Sequence, residues 1–195
     1  MRPVLEIGRS DGFDLWPTAE IEPFEFLALG ADLTSAGVGT AVMSLALANN
    51  IDERAADSVA DTLHGLFTMD ALLAPGGMRV VDDAAGVTLV PGCCNGIEDR
   101  QDWYDLLDGR TPVDFGHDPM PGAELCGDRV RLIVDVRRDG SPVIELSPNE
   151  LRALLAGAEQ DLAGFHVLAT GWVTRHLPDH AGLLPAALAR ALVLP

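Results

Sequence analysis

Residues 129–150 read RVRLIVDVRRDGSPVIELSPNE, and this stretch decides the fold class. Apolar residues alternate with polar ones on both sides of a turn at residues 138–141 (Arg-Asp-Gly-Ser). The alternation predicts an antiparallel hairpin of residues 129–137 and 142–146. Residues 147–150 (Ser-Pro-Asn-Glu) then form a capping box with proline at the first helical position, which predicts the start of a long helix.

The segments on either side extend this hairpin and helix into a single α+β domain of residues 1–195. We predict an N-terminal helical and strand part in residues 1–77, hairpins and a motif loop in residues 78–146, and C-terminal helices in residues 147–195. The order of elements lacks the regular βαβ alternation of a parallel sheet, so we expect antiparallel sheets packed against the terminal helices.

Three further structural expectations follow from local patterns. Apolar residues at helical spacing predict a helix over residues 53–74, with Asp52 as its N-cap and the glycines after Pro75 as its end. Residues 110–127 are rich in proline and glycine and are predicted to form a long irregular loop. The tryptophans are expected to anchor the core: Trp16, Trp103 and Trp172.

The charge of the chain limits the classes of partner that it can bind. The formal net charge is −17, and all 13 basic residues are arginine, so chemistry that requires a lysine is excluded. Nucleic acids and anionic membrane surfaces attract basic faces, so neither is predicted as a partner. A basic protein or bound cations would suit this charge better.

The cysteines and the apolar segments indicate a cytoplasmic protein with reduced thiols. Cys93, Cys94 and Cys126 are an odd number with two neighbours, which makes a poor disulfide framework. The first residues lack the apolar core of a signal peptide, and the longest apolar stretches are too short to span a bilayer.

Chemically reactive side chains are densest between residues 93 and 124. We expect the loop before Ile97 and the loop after Phe115 to fold against each other and to concentrate negative charge. The candidate functional residues are Cys93, Cys94, Glu98, Asp99, His117, Asp118 and Glu124.

Two motifs in this region are similar to those of a known family. Residues 91–99 read PGCCNGIED, Trp103 follows, and residues 116–121 read GHDPMP before Glu124. The pattern resembles a family of uncharacterised bacterial proteins in which a Pro-Gly-Cys-Cys segment precedes Gly-x-Glu-Asp/Glu-Trp and a later Gly-His-Asp-Pro-x-Pro. The resemblance covers residues 75–135, departs in the wider spacing before Trp103, and implies no activity.

The cysteines raise two chemical possibilities, zinc binding and nucleophilic catalysis. Zinc sites favour cysteines two or more residues apart, and we expect the neighbouring Cys93 and Cys94 to point in different directions. Their spacing to His117 and Cys126 matches no standard zinc module. Cysteine catalysis with His117 as base and Asp118 as orienting group is opposed by nearby aspartates, which raise a thiol pKa.

No cofactor is predicted, but an oxygen-ligated divalent cation stays an alternative. Carboxylates of Glu98, Asp99, Asp118 and Glu124 could gather calcium or magnesium. Glu98 and Asp99 also have a structural explanation, since carboxylates in a first helical turn stabilise the exposed amides there.

The leading functional hypothesis is an acidic, non-enzymatic interaction protein. Its surface, including Glu98, Asp102 and Asp105, would bind a basic protein partner in an immunity- or antitoxin-like role. The alternative is a metal-dependent enzyme or a small-ligand site around Glu98, Asp99, His117 and Asp118. A third hypothesis is homo-oligomerisation through the apolar C-terminal helices.

Overall fold

The computed structural model describes residues 1–10, 12–50, 57–110 and 112–195. Within these residues, two four-stranded antiparallel sheets and five α-helices form one α+β domain, as the sequence predicts. The first sheet contains β1 (Arg2–Glu6), β2 (Phe26–Ala28), β3 (Gly76–Asp82) and β4 (Val87–Leu89). The second contains β5 (Val113–Asp114), β6 (Gly122–Cys126), β7 (Arg129–Ile133) and β8 (Val143–Leu146). The helices are α1 (Ser35–Ala48), α2 (Val59–Thr68), α3 (Gln101–Leu107), α4 (Pro148–His176) and α5 (Leu184–Ala191), with 3₁₀ turns at Ile97–Arg100 and Pro178–His180.

The second sheet is a meander in the spatial order β5–β6–β7–β8, and it contains the predicted hairpin. Val130 lies opposite Leu146 and Leu132 lies opposite Ile144, and all four side chains are buried. These cross-strand apolar pairs fix the register, because a slip of one residue would turn them to solvent. The first sheet has the order β2–β1–β3–β4, with β1 and β3 as its inner strands.

The prediction of an irregular loop over residues 110–127 is wrong in part. Strands β5 and β6 lie within it, and β6 pairs with β7 along its whole length, from Gly122 opposite Ile133 to Cys126 opposite Arg129. The glycines and prolines of this stretch resemble loop composition, but pairing with a strong neighbouring strand overrides that local preference.

Helix α2 is shorter than predicted. It begins after Ser58, whose side chain accepts a hydrogen bond from the Asp61 amide, and it ends at Thr68, where Met69 turns to extended backbone. The residues between Thr68 and Pro75 therefore leave the helix before the glycine pair is reached. The predicted N-cap Asp52 and the first predicted turn lie outside the described residues.

Helix α4 connects the two sheets. Its predicted capping box is confirmed: the Glu150 amide donates to Ser147 Oγ (3.2 Å) and the Ser147 amide donates to Glu150 Oε2 (2.7 Å). The helix packs against β1 of the first sheet, β7 of the second, and helices α1 and α5. Its buried side is mainly apolar: Leu151, Leu155, Ala158, Leu162, Phe165, Ala169, Trp172 and Val173.

The tryptophans are core residues, as predicted. Trp16, Trp103 and Trp172 expose 5%, 2% and 0% of their surface. Trp16 and Trp172 meet edge to face, and Trp16 Nε1 donates to the Gly39 carbonyl oxygen (2.9 Å). A Cβ at Gly39 would lie 2.0 Å from the Pro17 carbonyl oxygen and 3.1 Å from the Trp172 ring. Gly39 therefore permits the close approach of α1 to this aromatic pair.

Replacing Gly39 by alanine should lower the free energy of unfolding by about 1–3 kcal/mol, because the added methyl group forces α1 away from its neighbours. The matched control is Gly157→Ala on α4, where an added Cβ meets nothing within 4 Å. That control should raise stability by about 0.5–1 kcal/mol, since alanine is the better helix former. Urea unfolding of both variants measures the difference; a stabilising G39A would contradict the packing described.

Candidate functional site

Two loops from different sheets pair through their backbones. The Cys93 amide donates to the His117 carbonyl oxygen (2.6 Å), and the His117 amide donates to the Cys93 carbonyl oxygen (3.1 Å). Next to this pair, the Gly92 amide donates to the Phe115 carbonyl oxygen (2.8 Å). The predicted meeting of the two loops is confirmed, and we call residues 91–97 and 115–121 together the loop crossing.

Two glycines allow the loops to approach this closely. A Cβ at Gly92 would lie 2.3 Å from the Pro119 carbonyl oxygen and 2.6 Å from the His117 amide nitrogen. Gly116 has φ +96°, and a Cβ there would lie 2.6 Å from the Cys93 carbonyl oxygen. A side chain at either position would push the two loops apart. Glycine at these positions therefore allows the residues that follow, Cys93 and His117, to pair.

The first loop is also fixed to the first sheet. Asn95 is 9% exposed; its Nδ2 donates to the Gly76 carbonyl oxygen (2.8 Å), and the Gly76 amide donates back to the Asn95 carbonyl oxygen (2.9 Å). The Ile97 amide donates to the Ala74 carbonyl oxygen (2.9 Å). These bonds fix the part of the loop that follows Cys94 to the start of β3. Asn95 was not among the residues that the sequence predicted to be functional.

An aromatic stack fixes the second loop. The rings of Trp103 on α3 and Phe115 are nearly parallel, with centroids 4.0 Å apart and an interplanar angle of 9°. Both are almost completely buried. The burial of two large rings is strongly stabilising, and it places the backbone that leads directly into Gly116 and His117.

The two neighbouring thiols lie side by side, which contradicts the expectation that they diverge. The sulfurs of Cys93 and Cys94 are 3.5 Å apart, and both residues are exposed. Cys94 has φ +64°, in the left-handed region that a non-glycine residue seldom occupies. This local backbone turn was not readable from the sequence. It brings together side chains that an extended chain would send to opposite faces.

The Cys93 thiol does not resemble an activated nucleophile. The hydrogen bond with the Cys94 thiol raises the pKa of Cys93, and repulsion from Cys94 and Glu6 acts in the same direction. Catalytic cysteines have lowered thiol pKa values, because the thiolate is the attacking form. This environment therefore disfavours cysteine catalysis at Cys93.

His117 and Asp118 are linked to the second sheet through an arginine. His117 Nδ1 lies 3.3 Å from Asp118 Oδ2, and Arg137 Nη2 donates to Asp118 Oδ1 (2.7 Å). The hydrogen bonds from Arg137 and then from His117 lower the pKa of the Asp118 carboxyl. Asp118 therefore holds an ionised oxygen against the imidazole.

The three ligand-type side chains at the loop crossing converge. Cys93, Cys94 and His117 bring one ligand atom each within 4.8 Å of one another. In the described part of the chain, no other group of three cysteine, histidine or carboxylate side chains brings its donor atoms this close. Cys126 lies at the end of β6 and is outside this group.

The candidate carboxylates are not gathered with them. The Ala74 amide donates to Glu98 Oε2 (3.1 Å), and the Gly96 amide donates to Asp99 Oδ2 (2.9 Å), so both acids bind backbone near the 3₁₀ turn. Glu124 forms an ion pair with Arg131 across strands β6 and β7. Each acid has its own local partner, and the four proposed oxygen ligands do not converge on one point.

Acidic side chains do cluster around Asp102 of α3: Asp105 on the same helix, Asp99 in the preceding 3₁₀ turn and Asp114 on β5. Burial raises the pKa of Asp102, and repulsion from Asp99, Asp105 and Asp114 raises it further. Arg110 pairs with Asp105 and offsets part of this charge. We call Asp99, Asp102, Asp105 and Asp114 the α3 acidic face.

Arg100 is an organising residue that sequence analysis missed. Its side chain, 10% exposed, donates to Glu159 on α4 (2.8 Å) and to the carbonyl oxygens of Leu192 (2.9 Å) and Val193 (2.6 Å). These bonds hold the 3₁₀ turn and the start of α3 against two helices. The sequence offered only one signal, a single arginine among the acidic residues of segment 98–105, and its partners are distant in the chain.

No protein-family model, curated protein or solved structure matches this chain. The resemblance of the two loop motifs to a bacterial family therefore stays a prediction. Among the helices in the described part of the chain, none combines the length and apolar character needed to cross a bilayer.

The partly buried carboxyl of Glu98 predicts that the free energy of unfolding depends on pH. Burial raises the pKa of the Glu98 carboxyl in the folded protein above the ordinary glutamate pKa of the unfolded chain. As pH rises between these two pKa values, the unfolded chain loses the Glu98 proton while the folded protein still holds it. Stability therefore falls through that window and stays lower above it. Glu98→Gln keeps an acceptor for the Ala74 amide and should remove the decline. Glu98→Ala leaves that buried amide unpaired and should cost about 1–3 kcal/mol below the ordinary glutamate pKa, and less above it.

Urea unfolding at several pH values tests both substitutions. The free energy of unfolding of the glutamine variant should rise relative to wild type as pH increases. A constant difference across the window would show that the Glu98 carboxyl titrates alike in the folded and unfolded chains.

Proposed function

We infer that this protein is a non-enzymatic interaction protein whose α3 acidic face binds a basic protein partner. An immunity- or antitoxin-like role, in which the face masks a basic toxin surface, is the concrete form of this proposal. The observation that carries it is the grouping of Asp99, Asp105 and Asp114 around Asp102, close enough for their charges to repel the Asp102 carboxylate.

Repulsion within the α3 acidic face is a cost that a cation can relieve. Like charges disfavour ionisation, and an opposite charge nearby favours it. A guanidinium or ammonium group of a partner placed beside Asp102 would remove this repulsion and gain charge-assisted hydrogen bonds. Arg110 already occupies this role toward Asp105, which supports arginine as the complementary group.

Glu98 contributes less than the sequence hypothesis assigned to it. Its carboxylate turns toward the Ala74 amide and is partly buried, so it adds charge to the region without presenting a free oxygen to a partner. Asp102 and Asp105 stay in the proposed contact set, and Asp114 joins them through its position. Asp99 accepts from the Gly96 amide and, like Glu98, mainly adds charge to the region.

The rest of the molecule supports association with a cation. A net charge of −17 creates a long-range attraction that raises the rate of encounter with a basic protein. The face is also rigid, because the Trp103–Phe115 stack and the Arg100 bonds fix α3 from behind. A preorganised surface loses little conformational entropy on binding.

The alternative, a catalytic or small-ligand site around Glu98, Asp99, His117 and Asp118, has weaker support. Glu98 and Asp99 bind backbone amides, and Asp118 is paired with Arg137. Carboxylates that stabilise the local backbone are less available to coordinate a cation or a substrate.

Matched charge variants test the proposal. The triple substitution Asp102→Asn, Asp105→Asn and Asp114→Asn removes three carboxylates from the α3 acidic face. The control, Asp83→Asn, Asp128→Asn and Asp139→Asn, removes three exposed carboxylates elsewhere and gives the same net charge. Tagged wild type would capture partners from a lysate of the source organism at low salt, and each identified partner would be measured by biolayer interferometry.

The face variant should slow association with the partner by about tenfold or more, while the control should change it far less. Wild-type binding should weaken as salt is raised, since salt screens exposed charges. Equal losses of association rate in both variants would show that only the net charge of the protein matters. Binding that does not change with salt would contradict the electrostatic proposal.

A further inference from the structure

The loop crossing presents two thiols and one imidazole to solvent at a single point. The Cys93 and Cys94 sulfurs are 3.5 Å apart, and the whole set, with one His117 nitrogen, lies within 4.8 Å. The proposed partner-binding function uses none of these side chains. Their chemistry therefore calls for a separate explanation.

We propose that Cys93, Cys94 and His117 bind one Zn²⁺ ion in an open site whose fourth position faces solvent. Zinc binds thiolate sulfur at about 2.3 Å and imidazole nitrogen at about 2.0–2.1 Å in tetrahedral geometry, which places ligand atoms about 3.6–3.8 Å apart. The sulfurs, 3.5 Å apart, need to move by only about 0.3 Å to reach it. The longest separation in the set exceeds it by about 1 Å, a difference that side-chain rotation closes.

The backbone already holds the ligands in place. Cys93 and His117 form a directly paired couple in an antiparallel bridge, so their Cα atoms are fixed relative to each other. Gly92 and Gly116 permit the contact, and the left-handed backbone of Cys94 returns the second thiol toward the first. A site whose ligands need only rotate their side chains loses little entropy on binding metal.

A carboxylate stands behind the imidazole, as at many zinc sites. Asp118 Oδ2 lies 3.3 Å from His117 Nδ1, and Arg137 holds the other carboxylate oxygen at 2.7 Å. A proton on Nδ1 donated to this carboxylate leaves Nε2 with a free lone pair and fixes the orientation of the ring. Asp118 is thus a positioning residue for the proposed ligand.

The donor atoms select the class of metal. Two sulfurs and a nitrogen favour a borderline or soft ion such as Zn²⁺ over Ca²⁺ or Mg²⁺, which require oxygen ligands. The candidate oxygen donors Glu98, Asp99 and Glu124 are bound elsewhere. On binding, each thiol releases its proton to solvent as the Zn–S bond forms, so no oxidant or other reactant is required.

The experiment uses the full chain, reduced and freed of metal. Equilibrium dialysis against buffered Zn²⁺, with metal quantified by mass spectrometry, gives the stoichiometry and Kd. Co²⁺ serves as a spectroscopic probe, because its visible bands report tetrahedral geometry and its ultraviolet charge-transfer band reports sulfur ligands. We expect one ion per chain, tetrahedral Co²⁺ bands with sulfur charge transfer, and a higher Tm with Zn²⁺ present.

The chain offers matched controls for each ligand type. Cys93→Ser, Cys94→Ser and His117→Asn should each raise the Kd for Zn²⁺ by about 100-fold or more, and Asp118→Asn by about tenfold to 100-fold. Cys126→Ser and His64→Asn remove an exposed cysteine and an exposed histidine away from the loop crossing and should leave the Kd unchanged. Circular dichroism of every variant identifies any that fails to fold.

Three results would overturn the proposal. One is the absence of bound Zn²⁺ in the reduced wild type. Another is an equal loss of affinity in the Cys126→Ser or His64→Asn controls. A third is cobalt without sulfur charge transfer, which would place the metal on carboxylates.

Discussion

Both sheets bury an apolar face against one helix, and the rest of the structure depends on that shared contact. Helix α4 packs on β1 of the first sheet and β7 of the second, and its buried side includes Phe165 and Trp172. A sheet with one apolar face and a helix with one apolar stripe each leave that surface exposed to water unless another element covers it. The capping box at Ser147 starts α4 immediately after β8, so the second sheet and the helix are held in one fixed relation.

The loop crossing is a consequence of that arrangement. Cys93 follows the last strand of the first sheet, and His117 lies between β5 and β6 of the second. Once α4 has brought the sheets together, the two loops meet at their junction, and Gly92 and Gly116 let them pair. The α3 acidic face arises nearby, because α3 lies between these loops in the chain and stacks Trp103 on Phe115. The thiol and imidazole side chains and the α3 acidic face therefore both lie beside the junction of the two sheets.

The sequence predicted those features whose signals are local. The hairpin of β7 and β8, the capping box at Ser147 and the buried tryptophans each depend on residues close together or on strong apolarity, and all are confirmed. Strand β6 was missed because its stability comes from β7, and α2 was drawn too long because apolar periodicity continues past its end. At the site, the motifs indicated the right two loops. The convergence of the thiols was missed, since it depends on the left-handed backbone of Cys94, which side-chain identity does not encode.

The pairing of Cys93 with His117 also joins the two halves of the β structure mechanically. One residue is carried by the first sheet's loop and the other by the second sheet's loop, and two backbone hydrogen bonds connect them. Any sliding of one sheet past the other must stretch this link and move the exposed thiols away from the imidazole. The two exposed thiols therefore stay beside the imidazole only while the two sheets keep their relative position.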